Sequence, residues 1–382
     1  MNRFPFPTPE PPAWRLDWAA LTEEFGWIAA MRDCPQDPTF HAEGTVWTHV
    51  GMVCEALASL DEFRTLPHSE REILFAAALL HDVAKPSCTR YEDRRITSRG
   101  HSQRGAIDAR RIMWELGVEF TAREQVCALI RHHQQPFHFI NKPDAQRTAF
   151  FISQTARCDL LSLLAQADAL GRECGDKTDL LTNIGLFREF CRDNDCLHGP
   201  KRFPSAHSRF VYFRTPGRDP DYLAYKDTRS PVTVMSGLPG SGKDTWIAEH
   251  LPDCPRVSLD EIRDEFGAQR TGNQGTVVQA AREKARGFLR AGEEFVWNAT
   301  TLSREIRAQV IDFLAAYNSF VRIVYLEASH DVLFAQNRSR KRIVPEGALD
   351  RMMDRWEVPD LTEVHQVEHW IDASCLNLPN EW

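Results

Sequence analysis

The spacing of hydrophobic positions changes halfway along the chain, and this change predicts two domains of different class. In the first half, apolar residues recur at helical spacing in segments separated by polar, Gly- or Pro-containing connectors. The clearest segments are GTVWTHVGMVCEALASL, REILFAAALLHDVAK, GAIDARRIMWELG, AREQVCALIRHH and DLLSLLAQADALGRE. The pattern predicts an all-helical domain over residues 35–200, preceded by a proline-rich, loosely held arm over residues 1–34.

The second half alternates short apolar runs with helical stretches. PVTVMSG, RVSL, EFVWNAT and VRIVYLE have the character of buried strands, and DTWIAEHL, TVVQAAREKARGFLRAG and SREIRAQVIDFLAAY lie between them with helical spacing. Such alternation is typical of a parallel sheet with helices on both faces. We therefore expect an α/β domain over residues 231–382, joined to the helical domain by an Arg- and Pro-rich junction over residues 201–230.

Composition narrows the class of protein further. The chain has 382 residues, of which 42% are hydrophobic and 26% charged, as in ordinary globular domains. It contains no run of about 18 apolar residues that would predict a membrane helix, and no apolar segment of a signal peptide. Ten scattered cysteines without a C-x-x-C pair argue against a zinc ribbon and fit a reducing cytoplasm. The net charge of −8 disfavours coating of long duplex DNA but allows a local basic patch for a strand end.

A glycine-rich loop, GLPGSGKDTW, follows the first predicted strand of the second half and opens a predicted helix. That context predicts a phosphate-binding loop, in which backbone N–H groups and the helix dipole hold a polyphosphate. Lys243 supplies a positive charge for the β and γ phosphates. The residues expected to contact the nucleotide are Gly237, Gly240, Ser241, Gly242, Lys243, Asp244 and Thr245. A hydroxyl residue is the usual successor of the lysine, so Asp244 is a departure.

Two further residues suit group transfer from this loop. Asp260 ends the next predicted strand, in RVSLDEIR, and Arg263 lies about one helical turn later. A carboxylate there can accept a proton from an attacking hydroxyl, and the arginine can hold a neighbouring phosphate. The alternative is a helix N-cap aspartate with a solvated arginine.

Histidine and aspartate residues of the helical half predict a metal site. His81 and Asp82 end an apolar helix, His49 lies on the preceding helix and Asp168 on a later one. Two imidazoles and two carboxylates from three helices can hold a divalent metal and a water. His101 and His133 are further candidates, and a second metal would help to neutralise a phosphate.

The second half resembles the 5′-hydroxyl polynucleotide kinases of the phage type. The corresponding motifs are the loop GLPGSGKDTW, DEIR, NATTL and the lid stretch QNRSRKRIVP. The resemblance implies that Asp260 is the general base for a 5′-OH, that Arg263 holds the adjacent phosphate, and that Arg340 clamps the ATP phosphates. Arg338 and Arg342 are alternatives for the lid arginine, and a solvated basic helix end is the competing interpretation of RSRKR.

Two positions depart from that kinase pattern. The loop hydroxyl is Asp244, and the aspartate after the third strand is Asn298. Magnesium takes oxygen ligands, so we interpret Asp244 as a ligand that replaces the lost carboxylate. Thr245 is a poor substitute because the next helical position points about 100° away. The alternative is that Asp244 only suits the helix dipole.

The first half resembles an HD-superfamily domain. Its stretches HAEGTVWTHV, HDVAK, GHSQRGA, RHH and DALGR are similar to the HD domain of bacterial tRNA CCA-adding enzymes. The resemblance implies core metal ligands and an extended set, namely His49, His81, Asp82 and Asp168, then His101 and His133. Lys85 is expected to lie against the phosphate. His41 is either a further ligand or a residue that shapes its loop, and His132 is the weaker candidate of the His132–His133 pair.

An HD domain ahead of such a kinase resembles the HD-Pnk family of bacterial RNA end-healing enzymes. This resemblance implies removal of 2′,3′-cyclic phosphate or 2′ or 3′ monophosphate ends, and phosphorylation of a 5′-OH end with ATP or another NTP. It implies Mg²⁺ at the kinase site, a divalent transition metal such as Mn²⁺ at the HD site, and a separate RNA ligase downstream. The junction KRFPSAHSRFVYFR, with Phe210 and Tyr212, either stacks on nucleotides or is a packed linker.

Two other functions remain open from the sequence. One is an HD nucleotide phosphohydrolase fused to a small-molecule kinase of metabolism, with no nucleic acid. The other is a nucleotide-gated regulator that binds ATP without transferring phosphate, a reading to which Asp244 and Asn298 give weight.

Overall fold

The structure is a computed structural model that describes residues 5–19, 21, 25–267, 274–340 and 342–376. The chain divides into two compact units, and the boundary between them lies between Arg202 and Phe203. Within the described ranges, no helix is long and apolar enough to cross a membrane.

The first unit is helical apart from one short ribbon. Its helices are α1 (Trp27–Arg32), α2 (Val46–Ser59), α3 (Asp61–Thr65), α4 (His68–Leu80), α5 (Lys85–Cys88), α6 (His101–Glu115), α7 (Phe120–His132), α8 (Ala145–Ser153), α9 (Cys158–Leu170) and α10 (Lys177–Asp193), with a 3₁₀ helix over Pro136–Asn141. The ribbon pairs β1 (Arg90–Glu92) antiparallel with β2 (Arg95–Thr97).

Two almost fully buried helices form the centre of this unit. Every residue of α4 from Ile73 to Leu80 is buried, and α9 is buried from Cys158 through Ala165. An apolar surface on all sides requires neighbours on all sides, and α2, α7 and α10 supply them. Helix α2 begins at Thr45, whose side chain accepts a hydrogen bond from the Thr48 N–H. The polar residues at the ends of these helices are thereby held against the core.

The described part of the N-terminal arm is packed, so the expectation of a loosely held arm is wrong for it. Phe6 is buried against Phe25 and Trp27. Trp14 lies edge-on to Phe63 and beneath the guanidinium of Arg64. Burial of these rings contributes roughly 2 kcal/mol each relative to exposure in water.

The second unit is an α/β domain. Its helices are α11 (Ala206–Arg214), α12 (Lys243–His250), α13 (Leu259–Glu265), α14 (Gln274–Ala291), α15 (Arg304–Ala315), α16 (His330–Ser339) and α17 (Glu346–Met353). Its strands are β3 (Pro231–Ser236), β4 (Arg256–Ser258), β5 (Phe295–Asn298), β6 (Phe320–Glu327), β7 (Gln366–Ile371) and β8 (Ser374–Leu376).

The strands form one sheet in the order β4-β5-β3-β6-β7-β8. All neighbours are parallel except β7 and β8, which pair antiparallel at one edge. Central strand β3 is buried from Val232 to Ser236, as a strand covered by helices on both faces must be. The carboxyl ends of β3, β4 and β5 meet at one edge of the sheet, where ligands bind in open α/β folds.

The junction is part of the second unit and not a free linker. Helix α11 packs on the sheet through Phe210, whose ring stacks on His365 with centroids 4.1 Å apart. Tyr212 is also buried. The suggestion that Phe210 and Tyr212 stack on nucleotides is therefore wrong, because neither ring faces solvent.

Candidate functional sites

The helical unit brings all six of its predicted core and extended ligand residues into one buried cluster. His49 lies in the first turns of α2, His81 and Asp82 directly follow α4, and Asp168 lies near the end of α9. His101 begins α6 and His133 follows α7. All six are buried.

The Nε2 atoms of the cluster point at one another and at Asp82. The Nε2 atoms of His49 and His81 are 3.3 Å apart, and those of His101 and His133 are 3.4 Å apart. Oδ2 of Asp82 lies 3.3 Å from the Nε2 of His81, and its Oδ1 lies 3.4 Å from that of His101. Asp82 therefore stands between two sets of ligands, the first with His49 and His81 and the second with His101 and His133.

The other ring nitrogen of each histidine is already engaged. The Nδ1 atoms of His81, His101 and His133 lie 2.7–2.8 Å from the carbonyl oxygens of Ala78, Ser98 and Ile130, respectively. Each Nδ1 therefore donates its proton to a backbone carbonyl, and each Nε2 faces the cluster. Nε2 atoms that face one another repel unless a proton or a cation lies between them, and neither carboxylate oxygen of Asp82 has a hydrogen-bond donor of good geometry. The donor set fits a divalent metal with imidazole and carboxylate ligands.

Burial and neighbouring charges shift the pKa of three residues of the cluster in different directions. Burial, together with the neighbouring His81 and His101, lowers the pKa of His133 to about 3, so its imidazole is neutral. Burial opposes ionisation of Asp82, but His81 and Lys85 outweigh it and hold the pKa of this carboxyl well below its ordinary value. Burial also lowers the pKa of His81, and here the adjacent Asp82 carboxylate more than compensates and raises it.

Glu43 is a part of the site that sequence reasoning missed. Its Oε1 lies 2.7 Å from Nδ1 of His41 and 2.9 Å from Nδ1 of His49. A carboxylate on the outer nitrogen of a ligating histidine fixes the ring and raises its basicity. His41 is buried and lies edge-on to His49, with ring centroids 4.6 Å apart. The only sequence signal for Glu43 is its place in HAEG, two residues after His41.

Two cations flank the cluster. Arg172, which sequence reasoning also missed although it closes the stretch DALGR, holds both oxygens of Asp168 at 2.8 Å. Lys85 donates to Oε1 of Gln36 at 2.6 Å and lies 2.7 Å from Oδ2 of Asp82. In contrast, His132 turns away from the cluster and its Nε2 lies 3.2 Å from Oγ1 of Thr155.

A cavity of about 280 Å³ opens beside the cluster. Its polar lining includes His41, Lys85, His101 and Arg172. Phe40, Ile96, Phe137 and Leu180 supply apolar wall. An anionic group that enters this cavity meets two cations next to the candidate metal ligands.

The phosphate-binding loop of the second unit joins β3 to α12. Gly237 has φ of +142°, and a Cβ there would lie 2.2 Å from the carbonyl oxygen of Leu326, so only glycine fits. Gly242, with φ of +92°, is the N-cap that directly precedes α12. The Lys243 ammonium folds back onto the loop and donates to the carbonyl oxygens of Gly237 and Leu238 at 2.9 and 2.8 Å.

Asp244 and Asn298, the two residues that depart from the kinase pattern, contact each other. Nδ2 of Asn298, at the end of β5, donates a hydrogen bond of 2.7 Å to Oδ1 of Asp244. Asp244 lies in the first turn of α12, where the helix dipole favours a carboxylate. The amide thus fixes one oxygen of Asp244 and leaves Oδ2 without a hydrogen-bond partner among the described residues. Thr245 is exposed on the next position of the helix.

Asp260 and Arg263 form an ion pair at the same cavity. The expectation that Asp260 ends its strand is wrong, because the strand ends two residues earlier at Ser258, which caps α13, and Asp260 is the second residue of that helix. The N-cap interpretation of Asp260 is therefore wrong. Its side chain is 63% exposed, which leaves the carboxylate accessible to an incoming hydroxyl.

A cavity of about 610 Å³ unites these groups. Its basic lining residues are Lys243, Arg263, Arg282 and Arg340, and its acidic ones are Asp244 and Asp260. Its apolar wall includes Leu259, Val278, Trp297, Ile306, Val310 and Met352. Enclosure lowers the pKa of Lys243 to about 8, an effect that Asp244 opposes and Arg340 reinforces.

The lid stretch gives its three arginines different places. Arg340 lines the cavity, whereas Arg338 is exposed and absent from the cavity lining. Arg342 pairs with Asp264. Asn337 holds the stretch in a loop, since its side chain exchanges two hydrogen bonds with the backbone of Val344. Lys341 lies outside the described residues.

Comparison with protein-family models agrees with this geometry. Residues 46–172 match the HD domain, and residues 232–359 match an AAA domain. The chain joins an HD domain to a P-loop kinase-like domain. The predicted fold class, a helical HD domain followed by a P-loop domain with a mostly parallel sheet, is thereby confirmed. The ribbon β1–β2 is its one departure from an all-helical first unit among the described residues.

Solved structures include kinases that resemble the chain distantly. A sugar kinase from Janibacter sp. HTCC2649 has a TM-score of 0.30 and 17% identity, over 40% of this chain and 88% of that chain. A gluconokinase from Sinorhizobium meliloti 1021 has a TM-score of 0.29 and 21% identity, over 38% of this chain and 85% of that chain. Similarities at this level do not extend to a shared substrate.

Proposed function

We propose that this chain heals both ends of a broken RNA strand. Its HD domain removes a 2′,3′-cyclic phosphate or a 2′ or 3′ monophosphate, and its kinase domain transfers the γ phosphate of an NTP to a 5′-OH end. A separate RNA ligase then joins the healed ends. The HD activity belongs to residues 35–200 and the kinase activity to residues 231–382, with residues 1–34 as arm and 201–230 as junction.

In the HD domain, His49, His81, Asp82 and Asp168 would hold one metal, and Asp82 with His101 and His133 a second. When bound, a divalent transition metal such as Mn²⁺ supplies Lewis acidity toward a phosphoester. Lys85 and Arg172 line the adjoining cavity and would bind the oxygens of the phosphate. His41 bonds Glu43, and these two residues with His49 would either orient the first set of ligands or add a ligand to it.

In the kinase domain, the loop from Gly237 to Lys243 would hold the β and γ phosphates of ATP, with Ser241 buried in the loop and Thr245 beside it. Asp244 would be the protein ligand of Mg²⁺, which supplies charge neutralisation when bound. Asp260 accepts the proton of the 5′-OH, and Arg263 orients that carboxylate. Arg340 would clamp the transferring phosphate. Arg338, which lies outside the cavity lining, would contact the nucleotide only from the surface.

The observation that carries the kinase proposal is the charge of the 610 Å³ cavity. Four basic residues and two acidic ones line it, and both acidic residues have assigned roles in metal binding and proton transfer. Lys243 and Arg340 would bind the phosphates of the donor. Arg282, together with Arg263 beside Asp260, would contact an acceptor that is itself a phosphate ester, as a nucleic acid end is.

The test is a comparison of acceptors. The purified chain is incubated with γ-labelled ATP and Mg²⁺, and with 5′-OH RNA, 5′-OH DNA, free nucleosides or sugar acids. We expect label on 5′-OH oligonucleotides, with kcat/KM at least about 100-fold above that on nucleosides, because only the oligonucleotide reaches the second pair of arginines.

Other outcomes would contradict the proposal. Preferential labelling of a nucleoside or sugar acid would favour a metabolic kinase fused to an HD phosphohydrolase. ATP consumption without any labelled acceptor would favour a nucleotide-gated regulator. A Lys243→Ala control identifies any label that does not come from this site.

A further inference from the structure

Phe40 presents an aromatic ring at the mouth of the HD cavity. The side chain is 44% exposed although it lines the same cavity as His41, Lys85 and His101. An apolar side chain with this exposure forgoes a little under half of the stabilisation that full burial would give it, roughly 1 kcal/mol for a phenylalanine. Its placement at a cavity that holds the candidate catalytic groups suggests a partner that covers it.

The backbone around Phe40 is rigidly held. The N–H groups of Phe40 and His41 both donate to the carbonyl oxygen of Asp37, at 3.0 and 2.9 Å, and the Thr39 N–H donates to the Asp37 carboxylate. The next residue, His41, bonds Glu43, which also reaches His49. The backbone of Phe40 is therefore held beside the metal-ligand cluster, which limits where its ring can lie when a substrate binds.

The cavity is lined by both charged and apolar side chains. Lys85, His101 and Arg172 can hold a phosphate, and Asp37 and Asp176 also belong to the lining. Phe40 and Ile96 add apolar surface. At about 280 Å³ the cavity is at the small end of ligand pockets, large enough for one terminal nucleotide and not for several.

We propose that Phe40 is a specificity residue of the HD site, on which the base of the terminal nucleotide stacks while its 2′ or 3′ phosphate lies at Lys85 and Arg172. This inference rests on the proposed HD activity and defines its substrate class as phosphoesters next to a nucleobase. Stacking on one ring accepts all four bases, because every base has a π face. The site is therefore selective for a nucleotide end without being selective for sequence.

The experiment compares two RNA substrates, a 3′-phosphate oligonucleotide and the same oligonucleotide with an abasic last residue. For the wild type, we expect KM to be about 10-fold higher on the abasic substrate, with kcat within about twofold, since one lost stack weakens ground-state binding. Phe40→Ala should raise KM about 10-fold on the base-bearing substrate and leave KM on the abasic substrate unchanged. Phe40→Tyr should restore the wild-type values.

Leu116→Ala is the matched control, because Leu116 is also 44% exposed and does not line the cavity. The inference is overturned if Phe40→Ala weakens both substrates equally, which would mean that the ring only shapes the loop before His41. It is also overturned if the wild type treats the two substrates alike. A wild-type enzyme that hydrolyses neither substrate with Mn²⁺ present overturns the proposed HD function itself.

Discussion

Asp244 and Asn298, the two departures that the resemblance to phage-type kinases implies, are hydrogen-bonded to each other. From that resemblance we expected that a lost carboxylate and a gained one compensate. The two side chains are 2.7 Å apart. A carboxylate lost at one position can therefore be replaced by a carboxylate at the other. Asp244 keeps one oxygen for Asn298 and offers the second to a cation.

The exchange is tested by reversing it. We expect Asp244→Ala to abolish kinase activity and Asn298→Asp to reduce it strongly, because the latter places two carboxylates within hydrogen-bond distance. The double variant, Asp244→Ser with Asn298→Asp, should recover activity to within about 10-fold of the wild type, since it restores one hydroxyl and one carboxylate. The measurement is transfer of label from ATP to a 5′-OH oligonucleotide.

The HD activity of the same protein serves as the control in each of these variants. It should not change, because the metal-ligand cluster belongs to the other unit. Full kinase activity in Asp244→Ala would remove the metal-ligand role from this residue.

Glu43 is the most informative new residue of the HD site. Glu43→Gln removes the charge that fixes His41 and His49 while preserving the size of the side chain, so we expect a 10- to 100-fold loss of Mn²⁺ affinity. Isothermal titration of the purified protein with Mn²⁺ measures this loss directly. Glu189→Gln, an exposed change on α10, is the control, and equal affinity in both variants would show that Glu43 does not support the ligands.

Sequence spacing identified the residues that make the chemistry possible but not those that orient them. His49, His81, Asp82 and Asp168 stand in recognisable patterns, since adjacent His and Asp at the end of an apolar helix are rare without a purpose. Glu43, Arg172 and Gln36 have ordinary surroundings in sequence. They become visible only because folding brings α2, α5 and the end of α9 together, and no local pattern encodes that proximity.

Helices and strands with a clear hydrophobic pattern were predictable from the sequence. Strands at the edge of the sheet and the helix of the junction were not. Strands β3, β4, β5 and β6 are short buried runs between amphipathic helices, and each matches a predicted strand. Strands β7 and β8 escaped prediction because their residues are only partly buried and therefore lack a long apolar run. Helix α11 escaped because its Arg-rich sequence resembles a solvated linker, although Phe210 and Tyr212 anchor it.

The packing of α11 on the sheet predicts a pH-dependent stability. His365 is 2% exposed, stacks on Phe210 and accepts a hydrogen bond from the Val321 N–H through Nδ1. Burial, with the neighbouring His207, Arg209 and Arg214, lowers its pKa from 6.5 to about 3. The unfolded chain gains a proton at this position below about pH 6.5 and the folded chain does not until about pH 3. Stability therefore falls as the pH is lowered through this window, by about 2 kcal/mol at pH 5.

A His365→Gln variant separates this contribution from those of other groups. Glutamine keeps a hydrogen-bond acceptor but does not titrate, so the variant should lose about 2 kcal/mol less than the wild type between pH 7 and pH 5. Calorimetric unfolding at the two pH values measures the difference. Parallel losses in both proteins would show that His365 is not protonated on unfolding.

At the scale of the whole molecule, one polypeptide carries two sites built for phosphorus chemistry by different means. The helical unit gathers imidazoles and carboxylates at helix ends, and the α/β unit uses a glycine loop at the edge of a parallel sheet. Each unit has its own core and its own cavity, so we expect a substitution in one site to remove one proposed activity without the other. Composition and periodicity predict the two units. That both units act on the ends of one broken RNA strand is our proposal.

One assay tests this shared substrate most directly. A short RNA with a 5′-OH and a 2′,3′-cyclic phosphate is incubated with the protein, ATP, Mg²⁺ and Mn²⁺, and both ends are analysed. The wild type should phosphorylate the 5′ end and open and remove the cyclic phosphate. His81→Ala should still phosphorylate the 5′ end but leave the cyclic phosphate in place. Lys243→Ala should still remove the cyclic phosphate but leave the 5′-OH. In each variant, the rate of the affected reaction should fall on the order of 100-fold or more. A wild-type protein that leaves both ends of this RNA unchanged would contradict the account.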